Sequence, residues 1–414
     1  MGSILNTGIQ VGRLALRNRL VRSATYEGAA DAAGIPHDGF RDMYEQLARS
    51  GVGMMITGFT AVSEQGRAMQ PRQAALHNDA GLSGFRKMTD AVHRHGGHII
   101  AQLAHTGRQT RSALTGSRPV SCTYRPSPYF RERPRMLRHD ELPEIVQEFG
   151  SAAFRAREAG FDGVQLHAAH GYLLHQFLQP EVNRMVDSRN GNSVRVPDTS
   201  LLEDIIDRIR SLCGDDFPIM VKISGETDSR RPFYPDLFDR LITVLDSKSV
   251  AAIEISYGTM DQPLNIIRGS MNPTLVLKYN PLFRTRSRLR RTFWKLLIDH
   301  YFRPRQQPFT PMYNLPYAAR AKSLTDIPII TVGGARTKRE MERAITDGHA
   351  DLVGVSRPFL REPDFATRLF NSDNDHVSPC TNCNHCVFMC DAGEPTRCYQ
   401  RTPDQHFPSE GQLS

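Results

Sequence analysis

Short apolar runs alternate with amphipathic stretches along most of the chain. Most of these runs are rich in β-branched side chains and end in Gly, Ser or His, which is typical of buried strands. Eight runs predict strands over residues 21–25, 53–58, 98–103, 162–168, 218–224, 251–258, 328–334 and 352–357. Between them apolar residues recur with a helical period, which predicts helices over residues 40–51, 82–96, 142–160, 201–214, 235–247 and 337–348.

This alternation predicts an α/β fold with a parallel sheet built from right-handed βαβ units. Eight strands are the number that closes a (β/α)8 TIM barrel, so we predict one barrel over residues 1–371. An open, doubly wound sheet is the alternative, but the Gly-x-Gly-x-x-Gly turn typical of its first strand is missing. The polar, Cys-rich residues 372–414 are predicted to form a C-terminal extension of the barrel.

The composition is that of a globular enzyme with a large core, with 39% apolar and 23% charged residues. The first residues show no basic region followed by a long apolar run, and no apolar stretch approaches the length needed to span a membrane. We therefore expect a cytoplasmic protein without a membrane span.

The net charge of +8 is concentrated in two segments. Residues 108–138 contain eight arginines and one acid, and residues 284–305 contain seven arginines, one lysine and one acid. Each segment carries +7, so the remainder of the chain carries −6. Such local basicity argues against a nucleic-acid-binding protein. Both segments follow predicted strands at the same end of the barrel, which suggests attraction of an anionic small-molecule substrate or NADPH.

The second basic segment lies in a predicted insertion at about residues 262–313. Here Leu289, Phe293, Leu296 and Leu297 fall on one helical face. A basic amphipathic helix can lie on a membrane surface or cover an anionic ligand. The alternative is an ordinary surface helix that packs through its apolar stripe.

The clearest candidate chemistry follows the fourth predicted strand, where His167, His170 and Tyr172 surround Gly171. Two imidazoles and a phenol beyond a buried strand can hold a polar oxygen and deliver a proton to its neighbour. A zinc pair or structural histidines are the alternatives. Zinc requires three or four ligands, and no third one is obvious nearby in the sequence.

A candidate phosphate site lies at the ends of the last two strands. Gly333 and Gly334 close the seventh strand and open a helix, which leaves backbone N–H groups free for an anion. Ser356 and Arg357 end the eighth strand, and barrel phosphate sites often lie between these two loops. A simple turn and a surface ion pair are the alternative interpretation.

These motifs together resemble the old yellow enzyme family, in particular its branch with 2,4-dienoyl-CoA reductase and 2-enoate reductase. The resemblance covers roughly residues 1–370, in the stretches RNRLVRSAT, ITGFTAVSEQGR, IIAQLAHTGR, HAAHGYLLHQFLQPEVNR, VKIS, TVGGART and ADLVGVSRPFLREPDF. It implies bound FMN, NAD(P)H as electron donor, and reduction of the activated C=C bond of an α,β-unsaturated carbonyl. An FMN-dependent dehydrogenase or dealkylase, or a non-catalytic flavin or metal redox sensor, are the alternatives.

The resemblance also implies roles for individual residues. His167 and His170 would bind the substrate oxygen, and Tyr172 would protonate the α-carbon. Gln102 would bind the pyrimidine edge of the flavin, and Lys222 would lie near N1, where a cation favours the reduced anionic flavin. The remaining predicted cofactor-binding residues, at strand ends one, two, seven and eight, are Ser23, Ala24, Thr25, Gly58, Gly333, Gly334, Ser356 and Arg357.

Five cysteines crowd the C-terminal extension. The spacing of Cys380, Cys383, Cys386 and Cys398 is similar to the iron–sulfur motif of the dienoyl-CoA reductase branch, in which the third spacing is one residue longer. The four thiolates would hold a [4Fe–4S] cluster or a zinc ion, or they are a metal-free remnant of such a site. Cys390 is a spare thiol.

Overall fold

Eight parallel strands close into a barrel in the computed structural model, which describes residues 2–185, 198–227, 235–372 and 375–400. Each strand pairs with the next one in the chain, and the last pairs with the first. The predicted TIM barrel is therefore confirmed. The strands are β1 Leu20–Arg22, β2 Met54–Ile56, β3 His98–Ala104, β4 Gly163–Ala168, β5 Ile219–Ser224, β6 Ala252–Ser256, β7 Ile329–Val332 and β8 Leu352–Val355.

One principal helix follows each strand. The helices are α1 Asp38–Arg49, α2 Leu82–His93, α3 Leu142–Glu158, α4 Ser200–Cys213, α5 Pro235–Ser247, α6 Leu315–Lys322, α7 Lys338–Thr346 and α8 Phe365–Asn371. The sequence pattern did not predict α6 and α8. Both are too short for a periodicity to emerge, and α6 buries only two alanines, Ala318 and Ala321.

The bottom of the barrel is closed by an N-terminal hairpin of Ile9–Val11 and Leu14–Leu16. Its apolar side chains pack against those that point into the barrel from the strands, among them Ile100, Met220 and Ile330. A second, larger cluster fills the space between strands and helices. Since the lower interior is packed with apolar side chains, any site must lie at the carboxyl end of the strands.

The insertion between β6 and α6 consists of short helices. They are Pro263–Ile267, Pro273–Tyr279 and Arg288–Leu297, and the last continues into a π-helical turn, Ile298–Phe302, and a 3-10 turn, Arg303–Arg305. The described part of the tail contributes one helix, His385–Asp391, which packs on the insertion. Residues 373–374 and 401–414 of the predicted tail lie outside the described residues.

The remaining elements are short. They are the helical segments Ile4–Asn6, Ser112–Thr115, His139–Glu141, Leu173–Leu178 and Arg357–Arg361, and the strand segments Thr60–Ala61, Val120–Ser121 and Arg135–Met136. None of the helices in the described part of the chain is long and apolar enough to cross a membrane.

Candidate active site

A cavity of about 630 Å³ opens at the carboxyl end of the barrel. It brings together eleven of the thirteen residues predicted for catalysis and cofactor binding. They are Ala24, Thr25, Gln102, His167, His170, Tyr172, Lys222, Gly333, Gly334, Ser356 and Arg357. Ser23 and Gly58 do not line it. Ser23 is buried just below, and the Gly58 N–H donates to Glu27 Oε1 at 2.6 Å.

A buried polar layer forms the floor of this cavity. Gln102 Nε2 donates to Gln165 Oε1 at 2.6 Å, and Gln165 Nε2 donates to Glu254 Oε2 at 2.8 Å. The Lys222 ammonium lies 3.4 Å from Glu254 Oε1 and donates to Ser23 Oγ at 3.2 Å, while the Ser23 hydroxyl donates to Glu254. We refer to Gln102, Gln165, Lys222 and Glu254 as the polar layer. In this layer, Glu254 and Ser23 hold the Lys222 ammonium in a fixed position at the floor of the cavity.

Strand register explains how this layer forms. Gln102 is paired with Gln165 across β3 and β4, and Lys222 is paired with Glu254 across β5 and β6. Two residues lower on three of these strands, Ile100, Met220 and Ala252 belong to the apolar interior cluster. Because alternate residues of a strand share a face, the interior changes from apolar to polar in a single step along the strands.

Sequence analysis missed Gln165 and Glu254. A signal was present, since each is a polar residue inside an otherwise apolar strand and lies two positions before a predicted or observed site residue, His167 or Ser256. A fully buried carboxylate is costly unless it is paired and hydrogen-bonded. A buried Glu in a barrel strand therefore indicates a partner in the interior.

The two histidines meet above the polar layer. Nδ1 of His170 lies 3.1 Å from Nε2 of His167, and Nε2 of His170 lies 2.8 Å from Ser256 Oγ. Burial lowers the pKa of both imidazoles well below the usual value, and the nearby Lys222 cation lowers it further. Both rings are therefore neutral near pH 7, so each offers one N–H donor and one acceptor nitrogen.

The backbone at His170 has a conformation that side chains rarely adopt. Its φ is +60°, and that of the following Gly171 is +73°. The turn is held because the His170 N–H donates to Ser224 Oγ at 3.2 Å and the Met260 N–H donates to the His170 carbonyl at 2.8 Å. Such a conformation costs on the order of 1–3 kcal/mol and is concentrated at functional sites. Here it places the His170 ring against His167 of β4 and Ser256 of β6.

Tyr172 lies beside this pair, with its ring centroid 4.8 Å from that of His167 and 5.5 Å from that of Phe59. Burial raises the pKa of the phenol well above its usual value, and the nearby Cys390 and Asp391 raise it further. No described residue forms a hydrogen bond with the Tyr172 hydroxyl. The phenol therefore keeps its proton and has it free for a molecule in the cavity.

The opposite end of the cavity is rich in arginine. Arg357 Nη1 donates to the Arg268 carbonyl at 2.8 Å and to Asn384 Oδ1 at 2.7 Å. Arg336, which sequence analysis missed, donates to Asn382 Oδ1 at 2.9 Å and to the Ser378 carbonyl at 2.8 Å. Its Nε is buried and has no hydrogen-bond partner among the described residues. That orphaned donor fits an anionic group bound between the two guanidinium groups.

The glycines of the predicted phosphate turn are conformationally necessary. Gly333 and Gly334 have φ values of +125° and +85°. A Cβ on Gly333 would lie 2.6 Å from the Tyr313 ring, and one on Gly334 would lie 2.6 Å from the Thr310 carbonyl. The end of the insertion therefore packs directly against this turn.

The tail forms part of the cavity wall, which sequence analysis did not foresee. Cys386, Cys390 and Asp391 all line the cavity. The Asp391 carboxylate accepts hydrogen bonds from Gln70 Nε2 at 3.1 Å and from Asn280 Nδ2 at 2.8 Å. Burial raises the pKa of Asp391 to about 6. An ionisable group thus lies close to Tyr172, on a segment far away in the sequence.

The four cysteines predicted as metal ligands are near one another without forming a metal site. Burial raises the pKa of Cys386 to about 12; Arg357 lowers it, and the neighbouring thiols of Cys380, Cys383 and Cys398 raise it further. Cys398 Sγ lies 3.8 Å from Arg361 Nη1. Within the described ranges, no group of three or more Cys, His, Asp or Glu side chains has the geometry to hold a metal ion. The structure therefore gives no support to the predicted cluster or zinc ion, which stays a prediction.

A closed barrel with its cavity at the carboxyl ends of the strands defines a TIM-barrel enzyme. The sequence profile of the "NADH:flavin oxidoreductase / NADH oxidase family" matches residues 5–265 and 294–375. The chain belongs to this family of flavin-dependent oxidoreductases, so the resemblance to old yellow enzymes is confirmed. The unmatched residues 266–293 fall in the insertion, and the match ends before the first cysteine of the tail.

Individual relatives agree with this assignment. The chain is 30% identical over 376 residues to an "NADH oxidase" of Thermoanaerobacter brockii, covering 91% of this chain and 52% of the relative. It is 25% identical over 400 residues to a "4,4'-dithiodibutanoate disulfide reductase" of Rhodococcus erythropolis, covering 95% and 94%. The chain spans about half the length of the first curated relatives it matches.

Among solved structures, an old yellow enzyme homologue from Zymomonas mobilis superposes with a TM-score of 0.71. The match covers 98% of this chain and 99% of that one, at 23% sequence identity. It supports the shared fold.

Proposed function

We propose that the chain is an FMN-dependent oxidoreductase that uses NAD(P)H to reduce the activated C=C bond of α,β-unsaturated carbonyl compounds. The observation that carries this proposal is the joint placement of His167, His170 and Tyr172 in one cavity above the polar layer. Family membership supports the use of flavin and nicotinamide cofactors.

The residues present fit FMN. The phosphate would be held by Arg336, Arg357 and the backbone N–H groups of Gly333 and Gly334, since the orphaned Arg336 Nε calls for an anion at that end. When bound, FMN supplies hydride transfer at its N5 atom. Ser356 would assist at the phosphate end.

The ring would lie on the polar layer, with Gln102 at its pyrimidine edge and Lys222 beneath it. Ala24 and Thr25 line the cavity from the end of β1 and would lie along the ring. Ser23 would act indirectly, because its hydroxyl binds both Lys222 and Glu254 below the cavity. Gly58 would act through its hydrogen bond to Glu27.

The neutral imidazoles suit the role of oxygen ligands. An N–H from each of His167 and His170 would donate to the substrate carbonyl, which makes the β-carbon of the conjugated alkene electrophilic. The two rings are held near each other by their mutual contact and by Ser256, and the substrate oxygen would replace these partners as the acceptor of both N–H groups. Tyr172 would then protonate the α-carbon, because its desolvated phenol stays protonated until a strong base forms beside it.

The test is the Tyr172→Phe variant, studied by anaerobic stopped-flow spectroscopy of the two half-reactions. Flavin reduction by NADH or NADPH should survive, whereas flavin reoxidation by 2-cyclohexenone should slow by about 10²-fold or more, because the proton donor is lost. Phe59→Leu, which alters the ring packed on Tyr172 without removing an acid, is the matched control.

Two outcomes would defeat the proposal: unchanged reoxidation in Tyr172→Phe, or a colourless protein that cannot be reconstituted with FMN. Turnover of amines or ethers in place of enones would favour the dehydrogenase or dealkylase alternative. Iron and zinc analysis of the same anaerobic preparation tests the metal prediction for Cys380, Cys383, Cys386 and Cys398, and no catalytic step above depends on a metal.

A further inference from the structure

The insertion helix Arg288–Leu297 has an apolar stripe that is exposed in the described part of the chain. Leu289, Phe293 and Leu296 are 85%, 62% and 54% exposed, and their spacing places them on one face of the helix. We call these three residues the outer stripe. Of the nine large hydrophobic side chains exposed in the described part of the chain, five lie between residues 289 and 302. This concentration marks an interaction surface.

The outer stripe is not needed to hold the helix in place, because a different face does so. Ile298 is buried with Val276, Leu277 and Phe388, and Trp294 packs against that cluster. Trp294 also contacts the Phe283 ring at 5.2 Å between centroids. The helix therefore has an inner apolar face that docks on the protein and a separate outer face that is largely exposed in the described part of the chain.

Basic side chains surround the outer stripe. Arg288, Arg290, Arg291 and Lys295 are all exposed on the same helix. The one acid of the segment, Asp299, is neutralised by Arg303 at 2.9 Å. The Arg131 guanidinium lies over the Trp294 ring at 5.1 Å, so the two basic segments meet at this helix.

We propose that this surface docks the protein on an anionic lipid membrane. The outer stripe would insert into the interfacial region of such a membrane, and the surrounding arginines and lysine would bind its anionic headgroups. Two copies of the chain meeting through this surface would bring two segments of +7 together, which repel one another. An anionic membrane therefore complements both the apolar stripe and the positive charge of the surface, whereas a second copy of the chain complements only the apolar stripe.

The insertion helix lies next to the cavity, so docking through it would affect how a substrate reaches the cavity. The turn that continues the helix places Ile298, Tyr301 and Phe302 on the cavity lining. Docking would therefore bring the cavity mouth to the membrane surface, from which an apolar substrate can enter. Leu289 and Phe293 also lie in the segment that the family profile does not match, so the family fold does not account for them.

Vesicle flotation of the full-length protein tests the proposal. Vesicles of phosphatidylcholine with about 30 mol% phosphatidylglycerol are compared with phosphatidylcholine alone. We expect binding to the anionic vesicles only, and its loss at high salt. The triple variant Leu289→Glu/Phe293→Glu/Leu296→Glu should bind at least about tenfold more weakly. Arg290→Glu/Arg291→Glu should also bind more weakly, by about fivefold for each positive charge removed.

Matched controls lie at the opposite end of the barrel. Leu324→Glu changes another exposed leucine, and Arg94→Glu changes another exposed arginine; both residues precede a strand, in the loops before β7 and β3. Both controls should bind like the wild type. Unchanged circular dichroism spectra and FMN content show that the variants fold.

Three results would overturn the proposal. The first is no binding to either vesicle type, and the second is equal binding to neutral and anionic vesicles. The third is concentration-dependent self-association in sedimentation velocity that the triple variant abolishes, which would assign the outer stripe to a second copy of the chain. The test needs no catalytic turnover, so it is independent of the proposed reaction.

Discussion

The floor and the outer wall of the cavity are built on different principles. The floor consists of side chains at the ends of strands, where register fixes each neighbour and the polar layer is buried. The outer wall consists of the insertion and the tail, which are short helices and turns packed on one another. The family profile covers the floor but omits residues 266–293 and everything after 375.

This difference teaches how the barrel separates chemistry from selectivity. Rigid strand ends hold the groups that must meet a cofactor within a few tenths of an ångström. The loops that cover them are free to change, because the barrel is stable without their particular shape. We therefore expect the floor to decide the reaction type, and the wall, including Asp391, to decide the substrate.

The largest expected effect tests whether the floor is an interdependent unit. Glu254→Met leaves the Lys222 cation buried and unpaired, so the free energy of unfolding should fall by about 3–5 kcal/mol. Lys222→Met/Glu254→Met removes both charges and should recover much of that loss. Urea unfolding with the same excess of FMN throughout measures both.

The control for this cycle is the pair Arg320 and Asp239, which joins α6 to α5 at the surface. Removing either partner should lower the free energy of unfolding by less than about 1 kcal/mol, because solvent screens the charges. Equal losses for the buried and the surface pair would contradict the distinction between the floor and the periphery.

A smaller effect tests the wall. Burial raises the pKa of Asp391 from 3.8 to about 6, so the folded state binds the proton more tightly than the unfolded state does. Stability should therefore fall as the pH rises from about 4 to about 6, and stay at the lower level above that. Asp391→Asn should raise the free energy of unfolding by about 3 kcal/mol at pH 8, and the gain should vanish near pH 4.

Thermal or urea unfolding of the wild type and of Asp391→Asn across this pH range measures the difference in their free energies of unfolding. The surface variant Asp140→Asn, at an exposed residue paired with Arg138, is the matched control. A loss of stability in Asp391→Asn at every pH would show that the carboxylate is stabilised in the wall and that its burial does not dominate.

The smallest effect concerns the two basic segments. If they attract anionic ligands, kcat/KM for NADPH should fall a few-fold as ionic strength rises from about 0.02 to about 0.2 M, because exposed charges such as Arg125 and Arg131 are screened. An uncharged enone in the second half-reaction should show little salt dependence. Salt-insensitive apparent affinity for both NADPH and anionic substrates would contradict this attraction.

The sequence-based predictions also succeeded to different degrees for the floor and for the wall of the cavity. All eight predicted strands overlap the observed ones, because alternation and apolar runs are local properties of a strand. Several predictions ran two or three residues too far, over Thr25, Gly58, Gly334 and Arg357. These residues lie beyond the paired strand residues, where the chain leaves the barrel to form or support the cavity. Gly334 has a positive φ, and Arg357 begins a short helix.

A site residue at a strand end could be predicted from the sequence when it belongs to a motif formed with its neighbours along the chain. His167, His170 and Tyr172 belong to one short segment, so their proximity follows from the sequence. Glu254 was missed because its partner Lys222 is on another strand and only register joins them. Arg336 was passed over although it follows the predicted glycine turn directly.

By itself, the sequence determined the barrel, the family and the residues at the strand ends, because each depends on periodicity or on motifs within a few residues. Only the tertiary structure decided that the tail, with Asp391 and Cys390, lies in the cavity wall, and that the insertion helix has a second apolar face exposed in the described part of the chain. Those features depend on how segments more than a hundred residues apart pack together, as Asn280 and Asp391 do. No local pattern encodes that packing, since many surfaces can bury the same apolar side chains.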